Sequence, residues 1–463
     1  MSWLTLLTVT VLLFDVAAAQ FVVETIPGYP GKLPFKLETG YIGVGDVDEV
    51  QFFYYFVESQ RNPTVDPLIL WLTGGPGCSA LSGLIYEIGP LQFNYSSTSV
   101  PTFILNNNSW TQVASIIFVD TPVGTGFSYS NTQEGYHSSD TLTASDIYVF
   151  LRKWLLGHPN FLQNRFYVAG DSYSGIPVPL VVSKIVDGND NGENPPLNIQ
   201  GYILGNPYSD YSHDFNSRVP YAHRVNLLSD ELYESFKVSC DGKYVNPDTN
   251  STQCAEDIVA IHDCIDLLET GQILEPNCSV RAPKPSHDQW DPSTFEEDNL
   301  RLLHTNLDEL PEPWCRAYNY LSIYTWANDK LVQEALHVRQ GTIKVWVRCN
   351  KSLSYTEDVT SSIVYHRNLT KKCLQALIYS GDQDLVVPYV GTLGWIRSLG
   401  LPLVGEWRPW FVDGQVAGYT VKYSNVNYRL TYATVKGAGH TAPEYKPVEA
   451  LAMVYRFFSL FPL

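Results

Sequence analysis

The chain has 463 residues, of which 44% are hydrophobic, so it can bury a large core and form one to three domains. Its 48 acidic and 30 basic residues give a formal net charge of −18. This balance argues against nucleic acid and anionic membrane as binding partners.

The first 19 residues form an apolar segment that ends in Ala17, Ala18 and Ala19. This pattern predicts a cleaved secretory signal peptide at residues 1–19. A membrane anchor is the weaker alternative, because the run is short for a spanning helix and contains Asp15. We therefore expect a mature protein that begins near Gln20, has no membrane contact and resides in the vacuole or outside the cell.

Sequons and cysteines agree with a secretory route. Six Asn-x-Ser/Thr sequons predict glycosylation, at Asn94, Asn107, Asn250, Asn277, Asn350 and Asn368. The eight cysteines contain no Cys-x-x-Cys pair, so they indicate disulfides in an oxidising compartment and give no sign of zinc or redox chemistry. Their pairing does not follow from the sequence.

Short runs of β-forming residues recur along the chain, with helical patterns between them. The runs lie at residues 68–72, 115–119, 166–169, 201–204 and 376–379. Near-continuous apolar runs of this length are typical of central strands buried on both faces. Residues 141–156 show the pattern of an amphipathic helix. The alternation predicts an α/β fold with a mostly parallel, doubly wound sheet.

The region 208–345 interrupts this alternation. It holds five of the eight cysteines and helical patterns at residues 229–238 and 256–268. We predict a helical cap insertion at about 208–345 within a single domain that spans residues 20–463. Inside it, the polar segment 281–298 is expected to form an exposed loop whose excision leaves two disulfide-linked chains.

Residues 170–175 have the context of a nucleophile turn. A β-rich run precedes them, and prolines that are tolerated only in a first helical turn follow. This context presents Ser172 at the top of an α/β-hydrolase sheet. Ser174 replaces the second glycine of the usual Gly-x-Ser-x-Gly pattern. A serine near glycines is most often an ordinary loop residue, so its partners decide the assignment.

An α/β-hydrolase places its acid and its histidine after the nucleophile. The buried run at 376–380 leads to Asp382 and Asp384, of which Asp384 is the predicted acid and Asp382 a turn-stabilising alternative. A final predicted strand at 430–435 leads to a glycine-flanked histidine, His440, which we predict to be the base.

A glycine-rich loop follows the run at 68–72. Such a loop aims backbone N–H groups at the charge that develops on a substrate carbonyl oxygen. The predicted oxyanion-hole donors are Gly75 and Tyr173, the residue after the nucleophile. Phosphate binding is the alternative, but no Gly-Lys-Ser/Thr follows the glycines.

With these motifs in place, the chain resembles the serine carboxypeptidase family over its whole mature length. The matching motifs lie at residues 71–79, 121–129, 170–175, 381–384 and 437–440. The resemblance implies a Ser172, Asp384 and His440 triad with no metal and no cofactor. It also implies three disulfides, Cys78–Cys349, Cys240–Cys254 and Cys278–Cys315, which leave Cys264 and Cys373 paired or free.

Departures from the peptidase pattern refine this resemblance. Peptidases of the family bind the substrate's terminal carboxylate with an Asn before the two glycines and a Glu before the nucleophile. Here Thr73 and Asp171 occupy these positions, and Glu87 keeps the third member of the network. Gly74, the residue after Thr73, is predicted to bind substrate together with these three. Threonine lacks the paired donors of an amide, and aspartate is shorter by one methylene.

The altered set is similar to the plant serine carboxypeptidase-like acyltransferases. The resemblance implies an acyl donor that is a 1-O-β-glucose ester, with a phenolic acyl group, and an alcohol acceptor. The alternatives are a true carboxypeptidase and a non-catalytic companion of an active paralogue. Such companions usually lose triad members, whereas all three are present here.

Overall fold

The computed structural model describes residues 20–94, 101–247, 251–277 and 316–463. The predicted signal peptide at 1–19, the predicted loop at 281–298, Asn250 and the Cys278–Cys315 pair lie outside these ranges.

The strands in these ranges are β1 (Gln20–Val23), β2 (Leu37–Val44), β3 (Val50–Val57), β4 (Leu68–Leu72), β5 (Leu91–Asn94), β6 (Thr102–Leu105), β7 (Ser115–Val119), β8 (Tyr129–Ser130), β9 (Ser138–Ser139), β10 (Phe166–Asp171), β11 (Ile199–Gly205), β12 (Tyr355–Thr356), β13 (Leu374–Gly381), β14 (Leu403–Val412), β15 (Gln415–Ser424) and β16 (Tyr428–Val435). The α-helices are α1 (Asp140–Gly157), α2 (Pro177–Asp190), α3 (Tyr211–Asn216), α4 (Arg218–Arg224), α5 (Asp230–Ser239), α6 (Thr252–Ile265), α7 (Arg316–Asn319), α8 (Leu321–Ala327), α9 (Lys330–Ala335), α10 (Ile363–Leu369), α11 (Tyr389–Ser398), α12 (Ala442–Tyr445) and α13 (Pro447–Phe458).

One 12-stranded sheet runs through the molecule, in the order β1-β2-β3-β7-β4-β10-β11-β13-β16-β15-β14, with β8 paired to β3. Its centre, from β7 to β16, is parallel. Both outer parts are antiparallel. The mostly parallel sheet is therefore the predicted one, with antiparallel extensions at either side.

Side chains of the central strands point alternately into two separate cores. In β4, Leu68 and Leu70 pack in the core that contains α1 and α2, whereas Ile69 and Trp71 pack in the core that contains α13. Burial on both faces explains the near-continuous apolar runs of the sequence. Helices on both faces confirm the predicted doubly wound arrangement.

Between β11 and β13 the described residues form mainly helices. Helices α4, α5 and α6 share an apolar cluster of their own, and the Cys240–Cys254 disulfide joins α5 to α6. Helix α6 begins at Thr252, four residues before the predicted start at residue 256. It begins there because the Ser251 side chain caps the helix by accepting the Cys254 N–H at 3.2 Å. No helix in the described ranges has the length and apolar character needed to cross a bilayer.

The inserted region contacts the loops that follow β13 and β16. The His440 N–H donates to the Gly271 carbonyl at 2.7 Å, and the Leu385 N–H donates to the Thr270 carbonyl at 2.9 Å. The insertion therefore positions the same end of the sheet at which the predicted site residues lie.

Candidate active site

Ser172 lies at a sharp turn between β10 and α2. Its φ of 54° is in the left-handed region, which a residue with a side chain rarely adopts. A short 3₁₀ turn, Ser172–Gly175, leads directly into α2 at Pro177. Strand, strained turn and helix are the arrangement that exposes a nucleophile above the sheet.

The structure explains why Ser174 replaces a glycine in this turn. The Ser174 hydroxyl donates to the Leu72 carbonyl at 2.8 Å, so the side chain satisfies a buried backbone acceptor. Gly170 tolerates no such change, because an added Cβ would lie 2.4 Å from the same Leu72 oxygen. The departure from the expected pattern is thus compatible with the turn.

The predicted triad residues form one chain of hydrogen bonds. His440 Nε2 lies 2.7 Å from Ser172 Oγ, and His440 Nδ1 lies 2.8 Å from Asp384 Oδ2. The Asp384 side chain is fully buried, whereas the His440 side chain is 16% exposed. A histidine between a hydroxyl and a buried carboxylate can take up the hydroxyl proton.

Asp384 has further donors that the sequence did not predict. Its carboxylate accepts the Val386 N–H at 2.7 Å and the Asn206 amide at 2.8 Å. Asn206 follows β11, has a φ of 42° and accepts the Gly381 N–H at 3.1 Å. It therefore fixes the carboxylate relative to β13. No motif marks Asn206, and only its place after a predicted strand hints at a role.

Asp382 has the turn-stabilising role that was its alternative assignment. It accepts the Gly437 N–H at 2.7 Å, and so joins the loop after β13 to the loop that carries His440.

The electrostatic environment raises the pKa of His440. Burial by itself disfavours the imidazolium, but the Asp384 carboxylate and, less strongly, Asp171 favour it and prevail. His440 is thereby a stronger base than an exposed histidine.

The glycine-rich loop after β4 lies directly against the nucleophile. A Cβ added at Gly74 would lie 2.6 Å from the Ser172 Cβ and 3.0 Å from the Tyr173 nitrogen. The next residue is Gly75, whose N–H donates to no other backbone group in the described ranges. Tyr173 is the second residue of the 3₁₀ turn, where the N–H has no partner within the helix. Both predicted oxyanion donors are thus available.

Two anchors hold this loop in place. The Cys78–Cys349 disulfide is present, as the family resemblance implies. Buried Asp120 accepts the Ser79 hydroxyl at 2.7 Å and the Ala80 N–H at 2.8 Å. Asp120 is a second residue that the sequence does not mark, because Ser79 and Ala80 lie 41 and 40 positions away from it.

Two of the predicted substrate-binding residues, Asp171 and Thr73, lie beside Ser172. Buried Asp171 accepts the Gly74 N–H at 3.1 Å. Burial raises the pKa of Asp171 to about 6, and the neighbouring His440 and Gly74 N–H oppose this shift. The Thr73 hydroxyl oxygen is buried and has no hydrogen-bond partner among the described residues. The fold therefore leaves this buried hydroxyl unsatisfied.

Glu87 ends a π-helical turn, Gly83–Glu87, and is buried. One of its oxygens, Oε2, has no partner in the described part of the chain. Burial, followed by the charges of Asp171 and Glu444, raises the pKa of Glu87 well above its ordinary range. The raised pKa favours the protonated carboxyl, which can donate a hydrogen bond.

Side chains from the insertion and from α12 form the rest of the surroundings. Glu444 accepts the Thr441 hydroxyl at 2.8 Å, the Tyr320 hydroxyl at 2.9 Å and the Arg316 guanidinium at 2.9 Å. The rings of Tyr173 and Tyr208 stack with centroids 5.7 Å apart, and the Tyr208 N–H donates to the Ser172 carbonyl at 2.8 Å. Sequence patterns do not identify these residues, because the fold brings them together from distant segments.

The remaining predicted positions lie on the surface or at its edge. Asn107 and Asn368 are exposed, Asn94 and Asn277 are half-buried, and the Asn350 amide donates to the Gly124 carbonyl at 2.9 Å. Cys264 and Cys373 are exposed and unpaired among the described residues. No group of acidic, histidine or cysteine side chains in those ranges is arranged to hold a metal ion.

Comparisons with known proteins agree with this geometry. The profile of the serine carboxypeptidase family matches residues 27–460. Serine carboxypeptidase-like 1 of Arabidopsis thaliana is 48% identical over 445 residues, which cover 96% of this chain and 93% of that protein. Serine carboxypeptidase-like 17 of the same plant is 43% identical over 465 residues, covering 100% of this chain and 98% of that protein.

One solved structure shares the fold. The prohormone-processing carboxypeptidase of Saccharomyces cerevisiae superposes with a TM-score of 0.70 at 20% identity, covering 92% of this chain and 91% of that one. Together with the sheet order, this similarity confirms the predicted α/β-hydrolase fold.

Proposed function

The chain belongs to the serine carboxypeptidase family, and from that premise we propose that it is an acyltransferase. The proposed donor is a 1-O-β-glucose ester with a phenolic acyl group, and the proposed acceptor is an alcohol. No cofactor is required by the proposed steps. Family membership supports an enzyme that forms an acyl-serine, and the features beside Ser172 support the choice of donor.

The chemistry proceeds in two steps on one serine. Ser172 Oγ attacks the ester carbonyl while His440 Nε2 takes the hydroxyl proton, and the N–H groups of Gly75 and Tyr173 stabilise the oxyanion. The same proton then passes to the departing glucose oxygen, which leaves an acyl-enzyme. In the second step His440 takes the acceptor's proton, the acceptor oxygen attacks the acyl carbon, and Ser172 recovers its proton.

Asp171 is the residue that supports a sugar ester over a peptide as the acyl donor. A peptidase must bind the terminal carboxylate of its substrate with hydrogen-bond donors. Asp171 has a pKa of about 6, so above that pH it presents a negative charge beside the nucleophile. The peptidases carry a glutamate here, whereas the Asp171 side chain is shorter by one methylene and accepts the Gly74 N–H at 3.1 Å, so it reaches less far toward a peptide carboxylate. Its charged form can accept hydrogen bonds from sugar hydroxyls. We assign the unsatisfied Thr73 hydroxyl as one further donor to the sugar.

Transfer to an alcohol instead of water requires that the acceptor be held in position. Well-oriented reactants reach effective molarities of roughly 10⁵ M or more, which is enough to favour a bound acceptor over solvent. Half-buried Tyr208, whose N–H donates to the Ser172 carbonyl at 2.8 Å, offers an aromatic ring near Ser172 for a phenolic acyl group.

Glu87 favours a second candidate function, the release of C-terminal residues. Its raised pKa favours the protonated carboxyl, which can donate to a peptide carboxylate. Below pH 6 Asp171 is protonated as well and can do the same. The two candidates therefore differ most clearly above pH 6.

The test compares a hydroxycinnamoyl glucose ester with blocked dipeptides at pH 5 and pH 7. We expect Ser172-dependent cleavage of the ester that is faster at pH 7 than at pH 5, and no dipeptide cleavage at pH 7. The double variant Thr73→Asn/Asp171→Glu, which restores the peptidase pattern, is expected to gain dipeptide cleavage. Dipeptide cleavage by the unchanged protein, without ester transfer, would establish the peptidase instead.

A further inference from the structure

A cavity of about 240 Å³ lies at the end of the sheet opposite Ser172. It is lined by the first residues of β13 and β16, whereas Asp384 and His440 follow the last residues of the same strands. Each strand has eight residues, so roughly 25 Å separate the cavity from the proposed active site. The cavity is thus a separate feature of the molecule.

The floor of the cavity is polar where a sheet face is ordinarily apolar. Gln375 pairs with Arg429, and Thr431 pairs with Lys422, across neighbouring strands. Leu377 lies two residues after Gln375 in β13, and Ala433 lies two residues after Thr431 in β16, so both point to the same face. Both are buried in the core beneath α13. The apolar packing against α13 therefore stops at this point and leaves an open space with a cationic floor.

The cations of this floor lack carboxylate partners. Lys422 and Arg429 take part in no ion pair among the described residues, although the chain carries a net charge of −18. Half-buried Lys422 has a lowered pKa, because burial and the nearby Arg408 both disfavour its charge. Arg429 is exposed to solvent, whereas an anion bound here would compensate the half-buried charge of Lys422.

The walls of the cavity are apolar and partly open to solvent. Val404 is 62% exposed, Leu460 is 63% exposed and Phe461 is 57% exposed. Phe457, from α13, lines the space as well. Exposed apolar groups next to unpaired cations form a surface for a ligand with one charged end and one apolar end.

We propose that this cavity binds an aromatic carboxylate, with Lys422 and Arg429 holding the carboxylate and Leu460 and Phe461 contacting the ring. An inorganic anion would use only the cations and leave the apolar walls uncovered. The proposal is independent of the reaction at Ser172, because it depends on the contacts of the opposite end of the sheet.

Isothermal titration with trans-cinnamate tests the proposal, with the uncharged cinnamide as the matched ligand. We expect saturable binding of cinnamate to the full chain and at least tenfold weaker binding of cinnamide. Lys422→Gln/Arg429→Gln is expected to weaken cinnamate binding at least tenfold and to leave ester cleavage unchanged. Arg397→Gln, which removes an exposed charge from α11, is the control and should bind as the unchanged protein does.

Three results would overturn the proposal: no cinnamate binding, equal affinity for cinnamide, or unchanged affinity in the double variant. The last of these would place any bound cinnamate at another site, such as the cleft at Ser172. Thermal melting shows whether the double variant folds. If the double variant does not fold, Lys422→Met, which keeps the apolar stem, is compared with the unchanged protein for cinnamate affinity. An unchanged affinity in that variant contradicts the proposal equally.

Discussion

Replacement of Asn206 by glycine removes one donor from the Asp384 carboxylate. The Asn206 amide donates to Asp384 Oδ2 at 2.8 Å, and a hydrogen bond to a charged group contributes about 1.5–3 kcal/mol. If the orientation of Asp384 depends on this bond, the loss corresponds to about a 10- to 150-fold decrease in kcat/KM, at about 1.4 kcal/mol per decade. Glycine is the suitable replacement, because Asn206 has a φ of 42° and other side chains would add strain.

The assay is the pH profile of ester cleavage. Without the amide, the Asp384 charge is less dispersed and favours the imidazolium more, so the pKa of His440 should rise and the acidic limb should move to higher pH. A purely structural role for Asn206 would lower kcat/KM without moving this limb. Asn226→Gly, at an exposed asparagine with a φ of 69°, is the matched control. An Asn206→Gly protein that folds and retains full kcat/KM would refute the positioning role.

Further predictions concern the base, the turn and the glycans. Ester cleavage should fall as the pH drops through the raised pKa of His440, with a midpoint above about 6.5; a midpoint well below that value contradicts the assignment of the base. Ser174→Gly should cost about 1 kcal/mol in free energy of unfolding, measured by urea titration, because the Leu72 carbonyl loses its donor; unchanged stability would show that this bond contributes nothing. Peptide mass mapping should find glycans at exposed Asn107 and Asn368 and none at Asn350, whose amide is bonded to Gly124, and a glycan at Asn350 contradicts this use of its side chain.

The sequence predicts the centre of the sheet well because burial on both faces leaves a local signature. The run at 68–72 is β4, and the run at 115–119 is β7, without a shift of either end. The antiparallel outer strands have no such signature. Gly405 and Pro409 interrupt β14, which therefore resembles a loop in the sequence although it forms a strand of ten residues.

The candidate active site likewise contains residues that a local sequence pattern identifies and residues that it does not. Ser172 directly follows β10, and Asp384 and His440 lie three and five positions after the ends of β13 and β16, so local patterns suffice to find them. Asn206 and Asp120 act across 178 and 40 positions of the chain respectively, and only the folded structure shows their partners. The environment of Asp171 is also a tertiary property, because its raised pKa arises from burial and not from neighbours in sequence.

The fate of the acyl group on Ser172 tests the central claim most directly. Purified protein is mixed with a hydroxycinnamoyl glucose ester and a set of alcohols, and mass spectrometry measures new ester against free acid. We predict that one class of alcohol yields more ester than free acid and that Ser172→Ala yields neither. Release of free acid alone, at a rate that no alcohol alters, would contradict the acyltransferase and identify a hydrolase.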